Sequence, residues 1–120
     1  MVKIVPSINI FIPSGQNDKP YGVFEKFKDK KFYNFDEIRD MINKLTDELC
    51  GVSKGIVDNP IVLTVYAYSC PDLTLVDLPG ITRIAIAGQE KNIEQITKEM
   101  AKRYILIFIS FTNLLLKILW

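Results

Sequence analysis

The feature that most limits what this chain can become is a change of apolar period along its middle. Ile38, Met41, Ile42, Leu45 and Leu49 fall at i, i+3, i+4, i+7 and i+11, which puts them on one stripe of an amphipathic helix. The other face carries Glu37, Arg39, Asp40, Lys44, Asp47 and Glu48 and reads as solvated. Asn34 or Asp36 can cap its start and Gly51 can end it. The period then shortens. Residues 61–68, IVLTVYAY, are β-branched and aromatic and fit a buried strand. A CPD turn leads into a second short strand, LTLVD, and the close spacing predicts an antiparallel hairpin. A second helix follows in NIEQITKEMAKRY, with Ile93, Ile96, Met100 and Tyr104 on one face. Glu94 with Lys98, and Glu99 with Arg103, form i, i+4 pairs in the favourable order. Strand, aspartate-containing loop and helix in that order predict an α/β domain.

Length allows one such domain or a piece of a larger one, since 120 residues bury one core and not two. Histidine is absent, which removes His-based acid/base and nucleophile chemistry and the common zinc ligand sets. Cys50 and Cys70 are too few for a disulfide framework and read as reduced thiols of a cytoplasmic protein. A net charge of +1 gives no bulk field toward nucleic acid or an anionic membrane. The KFKDKKFYNF stretch at residues 26–35 interleaves basic and aromatic residues, but Asp29 and its place before a helix make it a solvated turn. No nucleic-acid partner is expected.

The ends differ from the middle. Residues 1–20 carry Pro6, Pro13, Gly15 and Pro20, which suggests one brief strand at most and then a loop. Pro6, Asn9 and Pro13 interrupt what would otherwise resemble the apolar block of a signal peptide. At the other end, residues 105–120 are apolar except for Ser110, Thr112, Asn113 and Lys117. That run is short and polar for a transmembrane helix of about 20 residues. A buried strand, ILIFIS, with an exposed apolar end is the expected reading, and a membrane anchor is the alternative.

Chemistry concentrates in DLTLVDLPGIT, residues 72–82. A carboxylate at a strand end can hold a hydrated metal, and a glycine three residues later can bring its backbone amide to a phosphate because no Cβ blocks the approach. Asp77 and Gly80 fit those two tasks, with Pro79 stiffening the turn between them. Asp-x-x-Gly alone is a weak motif, and an ordinary strand-to-turn aspartate is the competing reading.

The longer text is more specific. Residues 70–105, CPDLTLVDLPGITRIAIAGQEKNIEQITKEMAKRYI, resemble the dynamin superfamily of large GTPases around their third guanine-nucleotide motif. Upstream, KFYNFDEIRDMINKLTDELCGVSKGIVDNPIVLTVYA resembles the helix, KGI loop and strand that precede that motif. The resemblance covers about residues 21–105, leaving 1–20 as an irregular segment and 106–120 as a divergent apolar tail. It implies a partial P-loop GTPase-type α/β domain with an incomplete sheet.

By that resemblance, residues 77–80 (Asp77, Leu78, Pro79 and Gly80) are the nucleotide-contacting segment. Asp77 is the water-mediated Mg²⁺ contact and Gly80 supplies the γ-phosphate amide. Arg83 takes the basic position of the second switch, a candidate catalytic residue near the family's dimer interface, while Gln89 receives no catalytic role. The resemblance also implies GTP as ligand, self-assembly or pairing with a full-length relative, indirect membrane contact in fission or remodelling, and the microtubule association known in the family. No Gly-x-x-x-x-Gly-Lys-Ser/Thr and no Thr-Lys-x-Asp occurs in the sequence. The expectation is therefore a partial gene product or degenerate copy that is inactive alone, or else a non-enzymatic interaction protein associated with membrane through its tail.

Overall fold

A computed structural model of the chain describes residues 5–51, 57–78 and 92–119, with the side chains of the last helix described as far as Phe108. The chain divides into two compact units, one of residues 2–79 and the other essentially of residues 80–120.

In the first unit, four strands form one mixed sheet. They are β1 (Ser7–Pro13), β2 (Tyr21–Phe24), β3 (Ile61–Ala67) and β4 (Leu73–Asp77), in the order β2-β3-β1-β4. β1 runs parallel to β3, with Ser7 opposite Ile61 and Pro13 opposite Ala67, and antiparallel to β4. β2 runs antiparallel to β3 from Tyr21 opposite Tyr66 to Phe24 opposite Leu63. The alternating Ile8, Ile10 and Ile12 give β1 its strand preference, because branched side chains fit a pleated surface.

The predicted hairpin between β3 and β4 does not form. β1 lies between them and takes the ladder on both sides. Residues 68–72 can step over one intervening strand, since two strand spacings amount to only about 10 Å. Pro71, lacking an N–H, also disfavours a tight hairpin return.

α1 (Phe35–Cys50) covers part of this sheet. Asn34 caps it, its side-chain oxygen accepting from the Asp36 amide at 2.9 Å, and the Gly51 amide donates to the Asp47 carbonyl at 3.0 Å. Gly51 has φ +59°, a conformation that favours glycine after a helix. The expected stripe packs as a core: Ile38 and Leu45 are buried with Phe24, Phe32, Ile61 and Leu63, and Met41, Ile42 and Leu49 lie against them. Phe24 and Phe32 meet edge to face, with ring centroids 5.2 Å apart. Phe32 reaches this position because the basic-aromatic stretch folds back on β2, where Gly22 and Phe32 exchange two backbone hydrogen bonds of 2.8 Å. Its lysines lie on rings, Lys31 over Tyr21 and Lys30 over Phe32.

Gly22 is needed at that crossing. A Cβ there would stand 3.0 Å from Cδ1 of Ile38 and 3.1 Å from Cδ1 of Leu63. Both cysteines are free: Cys50 is buried at the end of α1, and Cys70 is half-buried with its thiol donating to the Ala67 carbonyl at 3.2 Å.

The second unit contains α2 (Ile93–Leu119), a helix of 27 residues. This corrects the expected strand at ILIFIS. A short apolar run has no periodicity that separates strand from helix, and no glycine or proline interrupts residues 93–119. Lys98 pairs with Glu94 at 2.5 Å as expected. Ile93 and Met100 are buried on one stripe, and so is Thr97, 1% exposed, which the apolar pattern passed over. Its hydroxyl donates back to the Ile93 carbonyl at 2.9 Å, which satisfies it without leaving the helix.

Candidate functional site

Asp77 is the last residue of β4, and its placement follows from strand pairing. The β4 register sets Asp77 opposite Ser7 and Leu73 opposite Phe11. Since side chains alternate across a strand, Asp77 shares a face with Leu75 and Leu73, while Val76 and Thr74 point the other way. Its carboxylate is exposed, as is every residue of β4. Ser7 in turn stands opposite Ile61, and the Ile61 amide donates to the Pro6 carbonyl at 3.0 Å. The end of β4 and the starts of β1 and β3 therefore lie along one end of the sheet. At that end an acidic side chain projects into solvent.

Leu78 follows half-buried. Of the other residues singled out in the sequence, Pro79, Gly80, Arg83 and Gln89 lie outside the described residues.

A single exposed carboxylate can only accept hydrogen bonds or contact a cation, directly or through water. Mg²⁺ is held by one or two carboxylates together with waters and substrate phosphates, rather than by an all-protein cage. A lone carboxylate such as that of Asp77 can supply at most one such contact. Among the described residues no group of three acidic, histidine or cysteine side chains could hold a metal ion, so a complete metal site does not arise from them.

The same end of the sheet has a second feature that sequence reasoning did not reach. A cavity of about 340 Å³ opens between the end of β2, the start of β3 and the last turns of α1, floored by Phe24, Leu45, Leu49 and Ile61 and rimmed by Glu25, Lys26 and Asn59. Lys26 lies in a 3-10 turn (Glu25–Phe27) and pairs with Glu48 of α1 at 2.5 Å. That hydrogen bond, with the lysine's charge, holds the Glu48 carboxyl below the usual carboxylate range, against a small opposing effect of burial. No sequence signal announced this pair, because its partners stand 22 positions apart.

Residues 12–116 match the model of the dynamin family. The chain is 48% identical over 85 residues to Dynamin of Drosophila melanogaster, a match covering 71% of this chain and 10% of that protein. It is 41% identical over 91 residues to Dynamin-A of Dictyostelium discoideum, covering 76% of this chain and 11% of that protein. It is 40% identical over 92 residues to Dynamin-1-like protein of Danio rerio, covering 77% and 13%. The chain thus spans about a tenth of the length of the curated relatives it matches.

Proposed function

The chain belongs to the dynamin family, and from that premise we propose that it supplies the second-switch segment of a dynamin-type GTPase domain, with Asp77 as its phosphate-side carboxylate. The observation that carries this reading is the position of Asp77: exposed at a strand end and followed directly by Leu-Pro-Gly. In the proposed site Asp77 would help hold Mg²⁺, Gly80 would offer its amide to the γ-phosphate, and Arg83 would serve the switch at an assembly interface. When bound, Mg²⁺ would neutralise charge developing on the phosphate oxygens. The residues of this chain hold and orient.

Phosphoryl transfer depends chiefly on positive charge and backbone amides arranged around the β- and γ-phosphates. The 120 residues contain no phosphate-loop motif and no guanine-reading motif. By themselves they should bind GTP weakly and turn it over hardly at all. In its parental setting the segment would serve GTP hydrolysis coupled, through self-assembly in the cytoplasm, to membrane fission or remodelling. A second reading, association with a full-length relative without hydrolysis, is favoured by the exposure of the edge strand β4, whose Leu73, Leu75 and Val76 face solvent.

A chimera tests the proposal. The Drosophila relative would carry residues 21–105 of this chain in place of its matching segment, and its GTP turnover would be measured beside an Asp77→Asn version. The expected result is activity in the first and a loss of at least tenfold in the second. Equal activity in both would remove Asp77 from the site. Separately, the purified chain should show no micromolar retention of radiolabelled GTP on filters. Micromolar retention that Asp77→Ala abolishes would overturn the proposed inactivity in isolation.

A further inference from the structure

Two strands that follow each other in the chain are held apart in the sheet. β3 and β4 are joined by residues 68–72, yet β1 lies between them, and among the described residues β4 pairs with β1 and with no other strand. Most of the dividing strand comes from outside the family-matched stretch. That stretch starts at residue 12, whereas β3, β4 and the link between them fall inside it.

The dividing strand also fits its place imperfectly. Opposed residues share a face of a sheet, so Leu63, Asn9 and Leu75 form one row across β3, β1 and β4, with a polar side chain set between two leucines. Asparagine is a poor strand former. Its side-chain amide stands 3.5 Å from the Ser7 hydroxyl, a long hydrogen bond, and Leu75 beyond it is 48% exposed.

We propose that β1 is a displaceable strand, and that when it withdraws β3 and β4 close directly into an antiparallel hairpin. Residues 68–72 suffice as a five-residue hairpin loop, which leaves Pro71 off the ladder. With Ala67 opposite Leu73, Val65 comes to face Leu75. No side chain changes face, because β4 slides along β3 by two residues and only an odd slip inverts a strand. The second arrangement is the weaker. It keeps two ladders where the described sheet has three, and a chain confined to it retains too little sheet to unfold as a unit. This exchange is independent of the proposed nucleotide role but bears on it, since withdrawal of β1 draws the Asp77 carboxylate toward β3 by one strand spacing, about 5 Å.

Disulfide trapping separates the two arrangements, in the full chain with its own thiols removed by Cys50→Ala and Cys70→Ser. Asn9→Cys with Leu75→Cys reports the described sheet, where the two positions stand opposite each other. Val65→Cys with Leu75→Cys reports the hairpin, since β1 otherwise keeps that pair more than about 10 Å apart, beyond disulfide reach. Thr64→Cys with Leu75→Cys, on opposite faces in both arrangements, is the control for an unfolded chain. In a glutathione buffer both reporting pairs should oxidise within the monomer, the Val65/Leu75 pair at least tenfold faster than the control. Failure of that pair to close, or oxidation equal to the control, would overturn the proposal. The unsubstituted chain gives a second reading: β1 amides should exchange with deuterium at least tenfold faster than β3 amides. Uniform exchange across the sheet would mean that β1 leaves only when the whole unit unfolds, and the proposal would fail.

Discussion

Asp77 and Ser7 face each other across the β1–β4 ladder, at the end of the sheet where β1 begins. The amino-terminal strand therefore positions the carboxylate on which the proposed site rests, although that strand bears no motif of its own.

From this pairing comes the first prediction. β1 is hydrogen-bonded on both sides, and Ile10 sits at its centre opposite Thr64 and Thr74. Ile10→Pro removes a donor from the ladder and should abolish cooperative urea unfolding. Thr74→Pro on the edge strand should be tolerated better, because edge strands accommodate proline. Equal damage from both changes would deny β1 its central role.

Core packing gives a second. Leu45 is buried among Phe24, Ile38, Ile61 and Leu63, and Leu45→Ala should cost about 2–5 kcal/mol through lost transfer energy and the cavity left behind. Phe35 is exposed at the first turn of the same helix. Phe35→Ala should stay within about 0.5 kcal/mol, as read from denaturation midpoints.

A third concerns Gly22. Placing a Cβ 3.0 Å from Cδ1 of Ile38 overpacks the crossing of β2 and α1, so Gly22→Ala should destabilise by about 1–3 kcal/mol. Ile38→Val deletes that Cδ1. The double variant should therefore be more stable than the two single losses added together, although contact with Leu63 persists. Strict additivity in a double-mutant cycle would count against the close approach.

pH dependence supplies a fourth. Glu48 has a folded pKa lowered by Lys26, so the pair contributes stability above the unfolded carboxylate value and loses it as pH falls through the lower folded value. Both side chains are exposed, and the effect should be small. Glu48→Gln should be slightly less stable than the parent at neutral pH, and the gap should close on acidification below about pH 4. A gap that widens in acid would reverse the sign and refute the assignment.

How much of this was legible in the sequence depended on the range of the interaction. The α1 stripe, its Asn34 cap and its Gly51 stop are local patterns, and each appears where the spacing puts it. The β3 and β4 segments were readable for the same reason. Their pairing was not: strand order is decided by which distant segment supplies a ladder, and the insertion of Ile8, Ile10 and Ile12 between two neighbours in sequence leaves no local trace. β2 escaped notice because a four-residue strand containing a glycine carries little pattern. The tail was misread because ILIFIS satisfies the composition of a strand equally well, and only continuity with the preceding helix decides. At the candidate site, Asp77 came from the motif and the family resemblance, whereas its alignment with Ser7 and the nearby Lys26–Glu48 pair required the fold.

The two thiols offer an unplanned instrument. One is sealed at the end of α1 and the other is partly accessible beside the β3 exit, so an alkylating reagent should modify Cys70 promptly and reach Cys50 only when the last helical turn lifts from its bed. The ratio of the two modification rates is then a clock for local opening, readable by mass spectrometry without any label added to the chain.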